Sequence, residues 1–137
     1  MKQRVPVSQI MSTKLITLNT TNTLYDAEKL LKENNLRHLP VVDGKKLIGI
    51  ISLSDLLKIS YTDVTDSDEV ESVVYETYTI PQIMAKTLVT IPPSANIKEV
   101  TELLSKHSFH SVPVVEDGEL KGIVTTTDLL NYFLAQY

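Results

Sequence analysis

The sequence predicts an α+β fold made of two pseudo-symmetric β-α-β-β-α repeats packed sheet to sheet. The first observation behind this is internal repetition: laid without a gap over Ile80 to Leu130, the stretch Val7 to Leu57 gives about sixteen identities. The second is a helical stripe of apolar residues in each copy, Leu24, Ala27, Leu30 and Leu31 in one and Ile97, Val100, Leu103 and Leu104 in the other. The third is a pair of short β-branched runs in each copy at hairpin spacing, Leu39 to Val42 with Leu47 to Ser52, and Val112 to Val115 with Leu120 to Thr125. One such unit is too small to cover both faces of its own sheet, which is why two are expected to pack together.

Each copy opens with a helical turn, Ser8 to Met11 or Pro81 to Met84, followed by a strand, Leu15 to Leu18 or Leu88 to Ile91, rich in the residues strands prefer. A turn carrying Asn19, or Pro92 and Pro93, leads into a helix whose start is marked twice in the same way. Thr23 with Asp26, and Asn96 with Glu99, each place a cap residue three positions before an acid that can return a hydrogen bond. Asp43-Gly44 and Asp117-Gly118 mark the hairpin turns, and a second helix, from Asp55 or from Asp128, closes each copy. The domain boundaries read as 1–59 for the first repeat, 60–79 for an acidic connector and 80–137 for the second repeat. In the connector, Val70, Val73, Val74 and Tyr75 fit either a short helical face or a mobile loop.

Composition narrows the function classes. A chain of 137 residues with 42% hydrophobic residues can bury a substantial core. Its apolar runs are too short to span a membrane, and its N-terminus lacks the apolar stretch of a secretory signal, so the expected location is cytoplasmic. The absence of cysteine excludes disulfides, thiolate metal sites and cysteine nucleophiles. A net charge of −4 argues against nucleic acid as a partner. Six of the 17 acids, Asp63, Asp66, Asp68, Glu69, Glu71 and Glu76, lie in the connector; without them 11 acids stand against 13 basic residues, and a small anion is not repelled by the repeats.

The motifs that can carry chemistry recur at matched positions: Gln9-Ile10-Met11 and Gln82-Ile83-Met84; His38-Leu39-Pro40-Val41-Val42-Asp43-Gly44 and Ser111-Val112-Pro113-Val114-Val115-Glu116-Asp117-Gly118; Gly49-Ile50-Ile51-Ser52-Leu53-Ser54-Asp55 and Gly122-Ile123-Val124-Thr125-Thr126-Thr127-Asp128. In this order, and twice over, they resemble a tandem pair of cystathionine-β-synthase (CBS) domains, the Bateman module. The resemblance covers nearly the whole chain. It implies a regulatory module binding an adenine nucleotide or an adenosyl ligand (AMP, ADP, ATP or S-adenosylmethionine) in clefts between the repeats. It also implies pairing into homodimers, with no required cofactor and no enzyme activity.

The residues suit such a ligand. A glycine at the start of the third strand admits either a ligand or a neighbouring backbone. Ser52, Ser54, Thr125 and Thr127 offer hydroxyls to phosphate oxygens, the helix start behind them favours an anion, and Asp55 and Asp128 can accept from the two hydroxyls of a ribose. By the family's pattern of composite sites, one cleft combines Thr125, Thr127 and Asp128 with Thr17, Arg37 and His38. The other combines Ser52, Ser54 and Asp55 with Thr90, His110 and Ser111. The first is favoured because Arg37 and His38 supply positive charge or donors.

The same residues also have plainer roles. Ser or Thr just before an acid at a helix start is commonly just its cap, worth about 1 kcal/mol, which accounts for Ser54-Asp55 and Thr127-Asp128 without a ligand; Arg37 can be a solvated surface residue, and His107 and His110 exposed histidines. No spacing of histidines and acids on one element suggests a metal or acid–base site. The rival reading is an interaction or dimerisation module without a small-molecule ligand; in either case the regulated protein is not named by the sequence.

Overall fold

The computed structural model describes residues 4–62 and 75–137. The predicted helical face at Val70, Val73 and Val74 lies outside them. By its contacts the chain divides into two compact units that do not coincide with the sequence repeats: one is Ile16–Leu88, and the other joins Met1–Leu15 to Val89–Tyr137.

In the unit Ile16–Leu88 the elements are β1 (Leu18–Asn19), α1 (Leu24–Glu33), β2 (His38–Asp43), β3 (Lys46–Ser52), α2 (Leu53–Thr62) and a single turn, α3 (Ile80–Ile83). β1 pairs parallel with β2, Leu18 opposite Val41, and β2 pairs antiparallel with β3, His38 opposite Ser52. The other unit repeats this with α4 (Ile97–Lys106), β4 (Ser111–Glu116), β5 (Glu119–Thr125) and α5 (Thr126–Leu134), and a 3-10 turn at Val7–Gln9 takes the place of α3. Here the counterpart of β1 shrinks to a parallel bridge between Ile91 and Val114. The strands expected at Leu15 to Leu18 and Leu88 to Ile91 are therefore mostly unpaired. The reason is positional: the chain passes from one unit to the other at 15/16 and 88/89, so only the last residues of each run reach a partner.

Local chemistry accounts for the elements. Thr23 Oγ1 accepts from the Asp26 N–H at 3.1 Å while Asp26 Oδ2 accepts from the Thr23 N–H at 2.9 Å, a complete capping box for α1. At α4, Asn96 Oδ1 accepts from the Glu99 N–H at 2.9 Å, and Glu99 returns its bond to the Asn96 side-chain amide instead of the backbone. α1 ends in a Schellman motif, with Asn35 at φ 57° and the Leu36 N–H donating to the Leu31 carbonyl at 2.9 Å. The hairpins differ. Asp43 belongs to β2, so the first loop is Gly44-Lys45 with positive φ at Gly44 alone, as in a type II′ turn; Asp117-Gly118 has positive φ at both positions, as in type I′.

Two matched cores follow. Leu18, Leu24, Ala27, Leu31, Leu39, Val41, Ile51 and Leu56 form one, joined by Ile80 and Tyr75. Ile91, Ile97, Val100, Leu104, Val112, Val114, Val124 and Leu129 form the other, joined by Ala95 and Val7. Ile80 opens the second repeat in sequence and is fully buried in the core of the first; Val7 opens the first and is fully buried in the core of the second. The opening segments are exchanged. Two backbone hydrogen bonds anchor each on the far side of a hairpin strand, between Ala85 and Ile50 (2.8 and 3.0 Å) and between Ser12 and Ile123 (2.8 and 3.0 Å).

This exchange predicts where a mutation is felt. Ile80→Ala should cost about 2–5 kcal/mol, and hydrogen exchange should show lost protection first in β2 and β3 of the other repeat, whereas Val7→Ala should loosen β4 and β5. Protection lost within each mutated residue's own repeat would refute the exchange. A second expectation concerns acid. The Thr23 backbone N–H, followed by the Asn22 amide, holds the Asp26 carboxyl below its ordinary value of 3.8. The folded value lies below the unfolded one, so the stabilisation is present at neutral pH and is lost as pH falls from the ordinary value through the lowered one. Denaturation midpoints should accordingly drop slightly more from about pH 5 to about pH 2 in wild type than in Asp26→Asn, a small effect because the carboxylate is solvated.

Candidate functional site

In each unit the residues singled out from sequence gather where the second strand starts, the third strand ends and the second helix begins. Ser52 Oγ accepts from the Asp55 N–H at 3.0 Å and Asp55 Oδ2 accepts from the Ser52 N–H at 3.0 Å. Thr125 and Asp128 repeat the arrangement at 3.0 and 2.8 Å. Both are capping boxes, so a cap is present, but it sits at Ser52 and Thr125 and not at the expected Ser54 and Thr127. The helices begin at Leu53 and Thr126, two residues before the expected Asp55 and Asp128, because the acid must stand three residues after the cap to return its bond. The cap uses one carboxylate oxygen of each acid; among the described residues Oδ1 of Asp55 and of Asp128 takes no hydrogen bond, and both acids remain half-buried at the surface. Ser54 and Thr127, one residue before each acid, are exposed.

The strand pairing decides what stands beside these caps. His38 lies opposite Ser52, and the Arg37 carbonyl accepts from the Leu53 N–H at 2.9 Å, tying Arg37 to the first residue of α2. Ser111 lies opposite Thr125, and the His110 carbonyl accepts from the Thr126 N–H at 2.9 Å and from its hydroxyl at 3.3 Å. Inside a unit, then, the neighbours of Ser52 and Asp55 are Arg37 and His38, and those of Thr125 and Asp128 are His110 and Ser111. Each composite set expected from the sequence takes members from both units. Thr17, half-buried just before β1, belongs to the unit of Arg37, and Thr90, exposed just before Ile91, to that of His110.

The two halves differ in charge. Arg37 is exposed and makes no ion pair among the described residues, so α2 begins beside a positive charge. α5 begins beside His110 and Ser111, and just before them the ring of Phe109 stacks on that of His107 at 4.8 Å and 12°. Among the described residues no group of three or more His, Asp and Glu side chains is placed to hold a metal ion.

The glycine motif has a different explanation from a ligand's approach. A Cβ at Gly49 would stand 2.7 Å from Met84 Cγ and 3.0 Å from the Ala85 carbonyl oxygen, with Met84 Sδ closer still; at Gly122 it would stand 2.6 Å from Met11 Sδ and 2.9 Å from the Ser12 carbonyl oxygen. The Ile-Met of each opening segment and the glycine of the other repeat are thus two sides of one contact. Of the two alternatives the sequence left open, the neighbouring chain fills the space.

The family model of the CBS domain matches residues 7–62 and 80–135. The chain belongs to the CBS domain family. It is 35% identical over 127 residues to the uncharacterized protein MJ0188 of Methanocaldococcus jannaschii, covering 92% of this chain and 43% of that one. This CBS pair thus spans about two to three fifths of the first curated relatives it matches. Among solved structures it is similar to CBSX2 in complex with AMP, with 27% identity, a TM-score of 0.80 and 96% and 97% of the two chains covered. It is also similar to the CBS domain pair of protein MJ0100 in complex with 5′-methylthioadenosine and S-adenosyl-L-methionine, with 30% identity, a TM-score of 0.74 and 94% and 99% covered. Among the described residues no helix is long and apolar enough to cross a membrane.

The Gly–Met contact makes a stability prediction separate from ligand binding. Gly49→Ala and Gly122→Ala should each cost about 1–3 kcal/mol in denaturant unfolding. Adding Met84→Ala or Met11→Ala should recover only part of that, because the backbone carbonyl stays at 3.0 or 2.9 Å. Full recovery would mean that the methionine alone sets the glycine requirement.

Proposed function

We propose that this CBS pair is a regulatory module that senses an adenine nucleotide or adenosyl ligand, requires no cofactor and performs no chemistry of its own. The observation that carries the reading is the pair of helix starts at Ser52–Asp55 and Thr125–Asp128. Each combines hydroxyls with a carboxylate whose second oxygen is open, and each repeats at a matched position beside Arg37 and His38 or His110 and Ser111. Likeness to CBS pairs solved with AMP and with adenosyl ligands supports the ligand class. In this reading the open carboxylate oxygen accepts from ribose hydroxyls, while the hydroxyls and free N–H groups of the helix start face phosphate. Thr17 and Thr90 complete the ligand-binding set.

A signal arises only if ligand binds two arrangements of the protein with different affinity and shifts their populations. The output passes to a regulated protein or a second copy of the chain, in the cytoplasm. Homodimerisation is supported by leucines left uncovered at matched places on the closing helices, Leu57 at 46% and Leu130 at 57% exposure, with Leu134 beyond.

Thermal unfolding against adenine and guanine nucleotides, 5′-methylthioadenosine and S-adenosylmethionine tests the reading. Ligand at 100 times its dissociation constant should stabilise by about 2.7 kcal/mol. Asp55→Ala or Asp128→Ala should weaken binding about tenfold to a hundredfold. Arg37→Ser should weaken AMP about tenfold and leave uncharged 5′-methylthioadenosine unchanged, because only AMP presents a phosphate. No shift with any ligand at millimolar concentration would leave a dimerisation or interaction module. Sedimentation of Leu130→Glu, expected to be monomeric, would test that surface.

A further inference from the structure

The two units differ at one seam. In the unit containing Val89–Tyr137, the opening segment closes onto the loop before α4: Val7 N–H donates to the Ala95 carbonyl at 2.6 Å, Ser8 N–H to that of Pro93 at 3.2 Å, Ile97 N–H to that of Val5 at 3.0 Å, and Pro6 bridges Asn96. The matched residues of the other unit are Ile80, Pro81 and Leu24. Pro81 stands where Ser8 stands and has no N–H to give; among the described residues Ile80 and Leu24 do not make the counterpart bonds either. Where the first seam is sealed, the second opens into a cavity of about 360 Å³, between the loop before α1 and residues 75–79. That is within the size range of small-molecule sites.

Its lining has a definite chemistry. Tyr25 and Tyr75 meet edge to face, with centroids 5.1 Å apart and planes at 80°, forming a right-angled corner; Tyr78 is a third wall. Tyr25 and Tyr78 are each 41% exposed, so their rings are open to a ligand. Among the described residues Glu76 adds an exposed carboxylate with no ion pair, and no Lys or Arg lines the cavity. No basic residue occurs in the sequence between Lys58 and Lys86. The adjoining N-terminus of α1 would favour an anion, but the Asp26 carboxylate is already bonded there. The matched residues of the other repeat, Lys98 for Tyr25 and Val5 for Tyr78, carry none of this character.

We propose that this cavity binds a small organic ammonium ion, held by the exposed rings of Tyr25 and Tyr78 through cation–π attraction and by the carboxylate of Glu76, with the buried ring of Tyr75 fixing Tyr25 from behind. The site lies at the opposite end of β1 and β2 from Arg37 and Asp55 and stands independently of the adenosyl reading. The test is titration of the full chain with choline chloride, followed by tyrosine ring signals in NMR. Sodium chloride serves as a salt control and 3,3-dimethyl-1-butanol as the uncharged isostere of choline. Choline should give a saturable shift of the Tyr25 and Tyr78 signals in the millimolar range, and the isostere should bind at least about threefold more weakly. Glu76→Gln and Tyr78→Ala, both at exposed positions, should each weaken choline about threefold to fivefold without changing the fold. Absence of saturation up to about 100 mM choline would overturn the proposal. So would equal binding of the isostere, or variants that bind like wild type.

Discussion

Everything in this molecule depends on the exchange of opening segments. Val7 and Ile80 are each fully buried in the core of the repeat to which they do not belong in sequence. A fully buried Val or Ile contributes about 1.5–3 kcal/mol. The same segments bring Met11 over Gly122 and Met84 over Gly49, and add a pair of backbone bonds on the side of β5 away from β4 and on the side of β3 away from β2. Each core is thereby completed by chain from the other repeat, so neither repeat holds a complete core of its own.

That constraint positions the candidate site. With β3 held on both sides, its C-terminal residue Ser52 is fixed opposite His38, and the capping box with Asp55 starts α2 at that point. The Schellman ending of α1 delivers Arg37 to the same place, and its carbonyl is locked to Leu53. α4 ends without a left-handed residue, its cap His107 being extended, and the chain reaches His110 by a different path, with His107 stacked on Phe109. The two helix starts are therefore alike in backbone and capping but unlike in charge, and under the proposed function this difference separates phosphate-bearing from uncharged ligands.

Under the proposed function the repeated hydroxyl–carboxylate pairs do one kind of work, recognition without chemistry. The capping role does not compete with the proposed ligand role, since the cap takes one oxygen of each carboxylate and leaves the other. The open seam beside Tyr25 and Tyr78 is a further departure from pseudo-symmetry, where Pro81 removes a donor and tyrosines stand at the positions of Lys98 and Val5.

The sequence by itself determined what is local. The helical stripes, the caps at Thr23 and Asn96, and the two hairpins all follow from residues within a few positions of one another, as does the likeness to CBS domains. The second helices are capped at Ser52 and Thr125 and not at the expected Ser54 and Thr127, because a hydroxyl stands at both positions and only the one three residues before the acid closes a capping box. The groups at the helix starts were legible for the same reason, although their partners were not. Strand register set Arg37 and His38 beside Asp55, and His110 and Ser111 beside Asp128. Only the tertiary structure decided which opening segment completes which core. Both repeats carry the same Ile-Met and the same glycine, so Met11 matches Gly49 locally as well as it matches Gly122. Nothing within either segment distinguishes the two pairings; the choice is made by the path of the chain through 15/16 and 88/89 and by the burial that path achieves.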